Sequence, residues 1–261
     1  MIRQSFIFLE RVGDRLEQRI WQQGIRSWNE FLSRKRILGI SPLRKAYYDR
    51  RIRQAKQHLM ADHAGYFTSI LPAREHWRLY SYFREQACFL DIEATGVGRK
   101  NSIILLGWSD GDRYRAMIRG INWDTQQLGA LLQQYKLLLT FNGSAFDLPC
   151  ITRRFPDLLP DIPHLDLRHA ACQAGLTGSL KEIEQQLGIK RSTIIGKIAG
   201  GDPSLLWRRF QATGDEDYLR LLLEYNEEDV CNLKRIADAV VARLAAGIAN
   251  PAASMHSSTS C

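Results

Sequence analysis

Asp91 and Glu93 stand two residues apart in "CFLDIEATG", residues 88–96. Apolar residues flank and separate them, so the stretch reads as a buried strand. A period of two then puts both carboxylates on one face. Alone, the pair has two readings: solvated acids where a strand ends, or acids that do chemistry. Asp147 follows a second apolar run in "LLLTFNGSAFDLP", with apolar Phe146, Leu148 and Pro149 around it. In "EYNEEDVCNL", Tyr225 and Asp229 are four residues apart and share one helix face, which Leu221, Leu222 and Leu233 turn toward a sheet. Four acids from three segments can therefore converge. Four carboxylates cannot sit together without a cation, because each raises the pKa of the others. No Lys, Arg or His adjoins any of them in sequence. Oxygen-only donors favour a hard divalent ion, magnesium or manganese.

The elements that must position these groups are legible around them. "ACFLDIEA" reads as a strand, and residues 102–109 and 112–119 as a hairpin turning on Asp110-Gly111. "WDTQQLGALLQQY" is an amphipathic helix, and "KLLLTFNG" a buried strand ended by Asn142-Gly143. "SAFDLPCITRRF" opens a helix capped by Ser144, and "HLDLRHAA" is a short strand running into a helix that Asp166 caps. Ser179 and Glu182 form a capping box before the helical C-terminal part. This order predicts an α/β layer fold, a mixed sheet flanked by helices on both faces.

"FLDIEATG", "LLLTFNGSAFDLPCI" and "YNEEDVCNL" resemble, in order, the three motifs of the DEDD exonucleases, a branch of the ribonuclease H-like superfamily. "HLDL", "GSLKEIEQQLGI" and "DPSLLWRRF" are similar to a YprB-type ribonuclease H-like domain. The resemblance covers about residues 87–245. It implies a ribonuclease H-like fold with a mixed five-stranded sheet, and a 3′–5′ exonuclease. It makes Asp91, Glu93, Asp147 and Asp229 the four acids. One branch carries His five residues before the last acid, here Glu224. The other carries Tyr four before it, here Tyr225, so the chain resembles the tyrosine (DEDDy) branch. Two divalent ions, Mg2+ or Mn2+, would lie about 4 Å apart. Asp91 would bridge them, Glu93 and Asp229 would complete the first, and Asp147 would hold the second. Tyr225 would orient the attacking water. Asn142 and Phe146 would line the groove beside the terminal nucleotide. Their alternatives are a turn residue and a core aromatic, and the core is the commoner fate of such a Phe. Asp166, His164 and His169 read as structural. Ala94 departs from the commoner "DIETTG" form and removes a hydroxyl. Two alternatives share these residues: a non-catalytic nucleic-acid-binding accessory protein, and a structure-specific endonuclease.

The N-terminal third lies outside the resemblance. Residues 1–86 hold 17 Lys/Arg and 8 Asp/Glu, whereas the remainder holds 19 and 20. A basic block of this kind suits a polyanion, here nucleic acid. Residues 1–32 read as two short helices around a Gly turn, similar to a helix–hairpin–helix unit. Residues 33–86 read as a basic helical connection, with Ser41 as cap and Pro42 at the first helical position. Arg44, Lys45, Arg50, Arg51 and Arg53 are the candidate phosphate contacts. Tyr47 and Tyr48 interleave with them, either as a stacking surface or packed inward. Removing residues 1–60 is expected to weaken binding and flatten its salt dependence. Residues 87–246 then form the ribonuclease H-like domain and 247–261 a disordered tail. No CxxC pair occurs among the five cysteines, which predicts reduced thiols rather than a zinc site. The chain has no membrane-length apolar run and no signal-peptide pattern, which predicts a cytoplasmic protein.

Overall fold

A computed structural model describes residues 1–95, 102–192 and 203–249. Its centre is a five-stranded mixed sheet in the order β3-β2-β1-β4-β5. β2 (Ser102–Ser109) pairs antiparallel with both β1 (Ala87–Thr95) and β3 (Tyr114–Ile118). β4 (Leu137–Thr140) and β5 (His164–Asp166) add parallel strands on the other side of β1. This is the mixed five-stranded sheet expected for a ribonuclease H-like fold.

The strand period sorts side chains between two layers. Cys88, Leu90 and Ile92 of β1 pack with Leu128 and Leu132 of α6 (Thr125–Leu132) and Ile151 of α7 (Asp147–Arg154). Phe89 points the other way, toward Val230 and Leu233. These belong to the long final helix, Glu216–Ala249, which follows a helix over Pro203–Thr213. Asp91 and Glu93 share the parity of Phe89 and face the final helix. Leu222 and Trp207 continue that layer over Leu105 of β2.

The N-terminal third is not a loosely tethered appendage. It folds into α1 (Asp14–Gln22), α2 (Trp28–Ser33), α3 (Pro42–Met60), α4 (Gly65–Ile70) and α5 (Trp77–Phe83). Ser41 caps α3 by accepting from the Arg44 N–H, with Pro42 in the first turn. One continuous apolar cluster joins Ile2, Phe6, Trp28 and Tyr48 to Phe89, Leu139 and Val240. Buried Glu17 fastens the start of the chain: it accepts from the N–H groups of Phe6 and Ile7 and from Arg78 at 3.0 Å. Truncation at residue 60 would therefore open the shared core, so point substitutions are the cleaner test of the basic surface.

Several local expectations are corrected. α7 begins at Asp147, and Ser144 does not cap it; the Ser144 hydroxyl instead donates to Asp166. The final helix continues to Ala249, and Ile248 packs on the core, so residues 247–249 are not tail. The rest of the expected tail, residues 250–261, lies outside the described residues. Cys88 and Cys231 are free thiols. Among the described residues, no helix is long and apolar enough to cross a membrane.

The final helix is α11 below, Pro203–Thr213 is α10, and α8 (Leu167–Gln173) and α9 (Leu180–Gln186) lie between α7 and α10.

Candidate metal centre

β1 carries Asp91 and Glu93 to its carboxyl end, where ligands of open α/β sheets gather. α11 crosses the same face and presents Asp229. One carboxylate oxygen from each of Asp91, Glu93 and Asp229 lies within 4.8 Å of the others. Glu93 and Asp229 are only 9% and 7% exposed. Burial, then Asp147, Glu93 and Asp229, push the Asp91 carboxyl well above the usual range. Burial also raises Asp229, to about 6, although Arg191 pulls it back down. Clustered, desolvated, oxygen-only donors of this kind suit a hard divalent cation, which would supply the missing counter-charge.

Asp147 stands at the first position of α7. It is 3% exposed, and its Oδ1 accepts from the Ile92 N–H at 3.0 Å. Burial pushes its carboxyl up to about 7, against hydrogen bonds that lower it. Its charge acts strongly on Asp91. It is nevertheless not one of the three acids whose oxygens meet.

The loop that delivers Asp147 is braced from β5. Asp166 accepts from the N–H groups of Asn142 (2.8 Å), Ser144 (3.1 Å) and Arg168 (3.1 Å). Burial alone would raise this carboxyl, but bonds from Ser144 and Asn142 outweigh it and hold it low. The capping role read from sequence is present, and bracing the loop is a second role. Asn142 takes φ +61, and Gly143 follows because a Cβ there would meet Thr140 Oγ1 at 2.1 Å. His164, with its pKa pushed down to about 4 by burial, faces Thr140 Oγ1 at 2.9 Å. It is thus a neutral structural group at pH 7.

Tyr225 lies one turn before Asp229. Burial first, then Asp229 and Glu93, push its phenol above its ordinary value, so it stays protonated at neutral pH. Lys181 of α9 lies 5.2 Å from its ring. Phe146 is 39% exposed, so it is not the core aromatic that its type suggested.

Sequence reasoning missed two groups. Arg191, after α9, reaches Asp229 Oδ1 at 2.5 Å and is held by buried Glu184 at 2.5 and 2.8 Å. Asn232 donates to the same Glu184 at 3.0 Å. The cluster therefore does have a cation, though none adjoins the acids in sequence; it arrives from 38 positions away. Asn226 is the other, donating to Asp91 Oδ2 at 2.8 Å.

The basic surface is smaller than the composition suggested. Lys45 is 5% exposed, pairs with Asp49 at 2.6 Å and lies 4.9 Å from the Phe31 ring, so it is withdrawn from any phosphate. Tyr48 packs inward and donates to the Glu10 carbonyl at 2.6 Å. Arg50 and Arg53 are exposed, and Arg44 and Arg51 are half-buried. Arg11, Arg44, Arg50 and Tyr47 line one groove with Leu43.

A five-stranded mixed sheet with acids at the end of its central strand, roofed by a helix that adds another acid, defines a ribonuclease H-like α/β domain. The RNase_H_2 family model, described as RNase_H superfamily, matches residues 88–241, and the chain belongs to this family. It is 30% identical over 172 residues to the uncharacterized protein YprB of Bacillus subtilis (strain 168). That match covers 58% of this chain and 41% of the relative, so the chain spans about two fifths of the curated protein it matches. Among solved structures, Escherichia coli RNase D, an exoribonuclease involved in structured RNA processing, aligns with a TM-score of 0.45 and 20% identity. That alignment covers 68% of this chain and 45% of RNase D. Family membership and the acid cluster support a nuclease-type function.

Proposed function

We propose that the chain is a divalent-metal-dependent 3′–5′ exonuclease acting on DNA or RNA. The observation that carries this reading is the meeting of Asp91, Glu93 and Asp229 beneath Tyr225. Asp91, Glu93 and Asp229 would hold one divalent ion. Asp147 would hold a second, or steady it through water. Bound Mg2+ or Mn2+ would activate a water and stabilise the leaving oxygen of a phosphodiester. Tyr225, protonated at neutral pH, orients that water by hydrogen bonding rather than removing its proton. Phe146, exposed beside the Asp147 turn, offers a face to the terminal base, and Asn142 shapes the turn. Arg44, Arg50, Arg51 and Arg53 provide charge for the backbone further along the strand.

End-labelled DNA and RNA oligonucleotides, incubated with Mg2+ or Mn2+, should give ladders shortening from the 3′ end. Cleavage of a circular single strand would replace this reading with an endonuclease. No degradation of any substrate, with metal bound, would leave the accessory-protein reading.

Tyr225→Phe is expected to slow degradation roughly 10- to 100-fold, because a positioned water is lost but no metal ligand is. Unchanged metal affinity in a calorimetric titration should accompany the loss. A wild-type rate would remove Tyr225 from the site.

Arg50→Gln combined with Arg53→Gln tests the basic surface. Neither arginine has an ion-pair partner among the described residues, so folding should be unaffected. Binding to a single strand should weaken, and the slope of log K against log salt should flatten by roughly 1.5 for two lost phosphate contacts. An unchanged slope would move the footprint elsewhere.

A further inference from the structure

Asn226 is fully buried in the middle of the α11 stripe that packs on the sheet, a place where an apolar residue would be ordinary. An amide buried without partners costs about 1–3 kcal/mol. Here both ends are used: Nδ2 donates to Asp91 Oδ2 at 2.8 Å, and Oδ1 accepts from the Tyr114 hydroxyl at 2.9 Å. The direction of the chain is fixed by chemistry. In the ionised form that a cation requires, Asp91 can only accept, so the amide presents its NH2 group there and its oxygen to Tyr114.

The sheet makes room for this arrangement. The β1–β2 register sets Gly107 directly opposite Asp91, and facing residues of an antiparallel pair project to the same side. A Cβ on Gly107 would lie 1.8 Å from Asn226 Oδ1 and 2.9 Å from the Tyr114 ring. Any larger residue at 107 would evict the amide. Residues of β2, β3 and α11 thus set the single amide that reaches Asp91 Oδ2.

We infer that Asn226, seated by Gly107 and Tyr114, is a positioning residue that fixes the Asp91 carboxylate for cation binding. This rests on the metal-centre reading above. The amide occupies one lone pair of Oδ2 and restrains the rotamer of Asp91, leaving the remaining lone pairs of the carboxylate for a cation. Asn226 touches neither substrate nor metal; it acts through Asp91.

The test is Mn2+ binding to the full chain by calorimetry, alongside degradation measured over a Mn2+ series and melting without metal. Asn226→Ala and Gly107→Ala should each weaken Mn2+ binding about 10- to 100-fold, the range for lost partners of metal ligands. Tyr114→Phe should weaken it less. Excess Mn2+ should restore most of the degradation rate in Asn226→Ala, because the ligands themselves remain. Asn226→Ala with wild-type Mn2+ affinity, whatever its melting temperature, would overturn the inference and leave Asn226 a core amide. If Gly107→Ala does not fold, Asn226→Ala and Tyr114→Phe still decide it. Failure of the wild-type chain to bind Mn2+ would instead overturn the metal-centre reading itself.

Discussion

Asp91→Asn is expected to lower metal-dependent degradation at least ~10³-fold, about 4 kcal/mol of barrier, while making the metal-free protein more stable. The two effects have one cause. Asp91 is pressed on by burial and by Asp147, Glu93 and Asp229, so its charge is costly until a cation arrives. Asparagine removes that charge and keeps an oxygen to accept from Asn226, so the packing is undisturbed. Relief of about 1 kcal/mol would raise the metal-free melting temperature by about 2–4 °C for a domain of this size. Degradation assays and thermal melts in a chelator check both halves. Wild-type degradation by the variant would sink the assignment of Asp91. A melting temperature several degrees lower would make Asp91 a structural residue instead.

The second large effect is the coupling of metal, pH and stability. Asp147 and Asp229 have carboxyls raised to about 7 and about 6. Between pH 4 and those values the folded chain keeps protons that the unfolded chain has released. Their contribution to stability therefore falls as pH rises through that window and is flat above about 7. Buried His164 acts oppositely, because its lowered pKa makes folding more favourable as pH rises toward 6.5. The whole-protein curve mixes both. The cluster is isolated by the metal-induced shift in melting temperature, since ligands must be ionised to bind. Mg2+ or Mn2+ at about 100 times Kd should add about 2.7 kcal/mol at pH 8, or roughly 5–10 °C. At pH 5 the shift should nearly vanish. The excess stability of Asp91→Asn over the wild type in chelator should grow from pH 4 to 7. A metal shift independent of pH would show that the ion binds elsewhere.

Much of the site was legible because its signals are local. A period of two in β1 puts Asp91 and Glu93 on one face, and a spacing of four puts Tyr225 and Asp229 on one turn of α11. The strand positions along the chain, the Ser41-Pro42 start of α3 and the Ser179–Glu182 capping box follow from residues within a few positions of one another. Periodicity assigns a face within an element. It does not say what lies over that face.

What the tertiary structure decided depends on that missing information. Arg191 pairs with Asp229, and Asn226 reaches Asp91 across 135 positions of chain, through a gap that Gly107 leaves in a neighbouring strand. Lys45 and Tyr48 sit among exposed arginines in sequence, yet helical rotation turns them into the core beside Phe31. Phe146, apolar in type, stays outside because the turn before α7 points it away. The sequence by itself determined which groups could do chemistry and which strand or helix carries each. Which partners hold those groups still was set only when the sheet, α11 and the helical N-terminal third closed on one core, since burial and charge pairing are properties of neighbours in space.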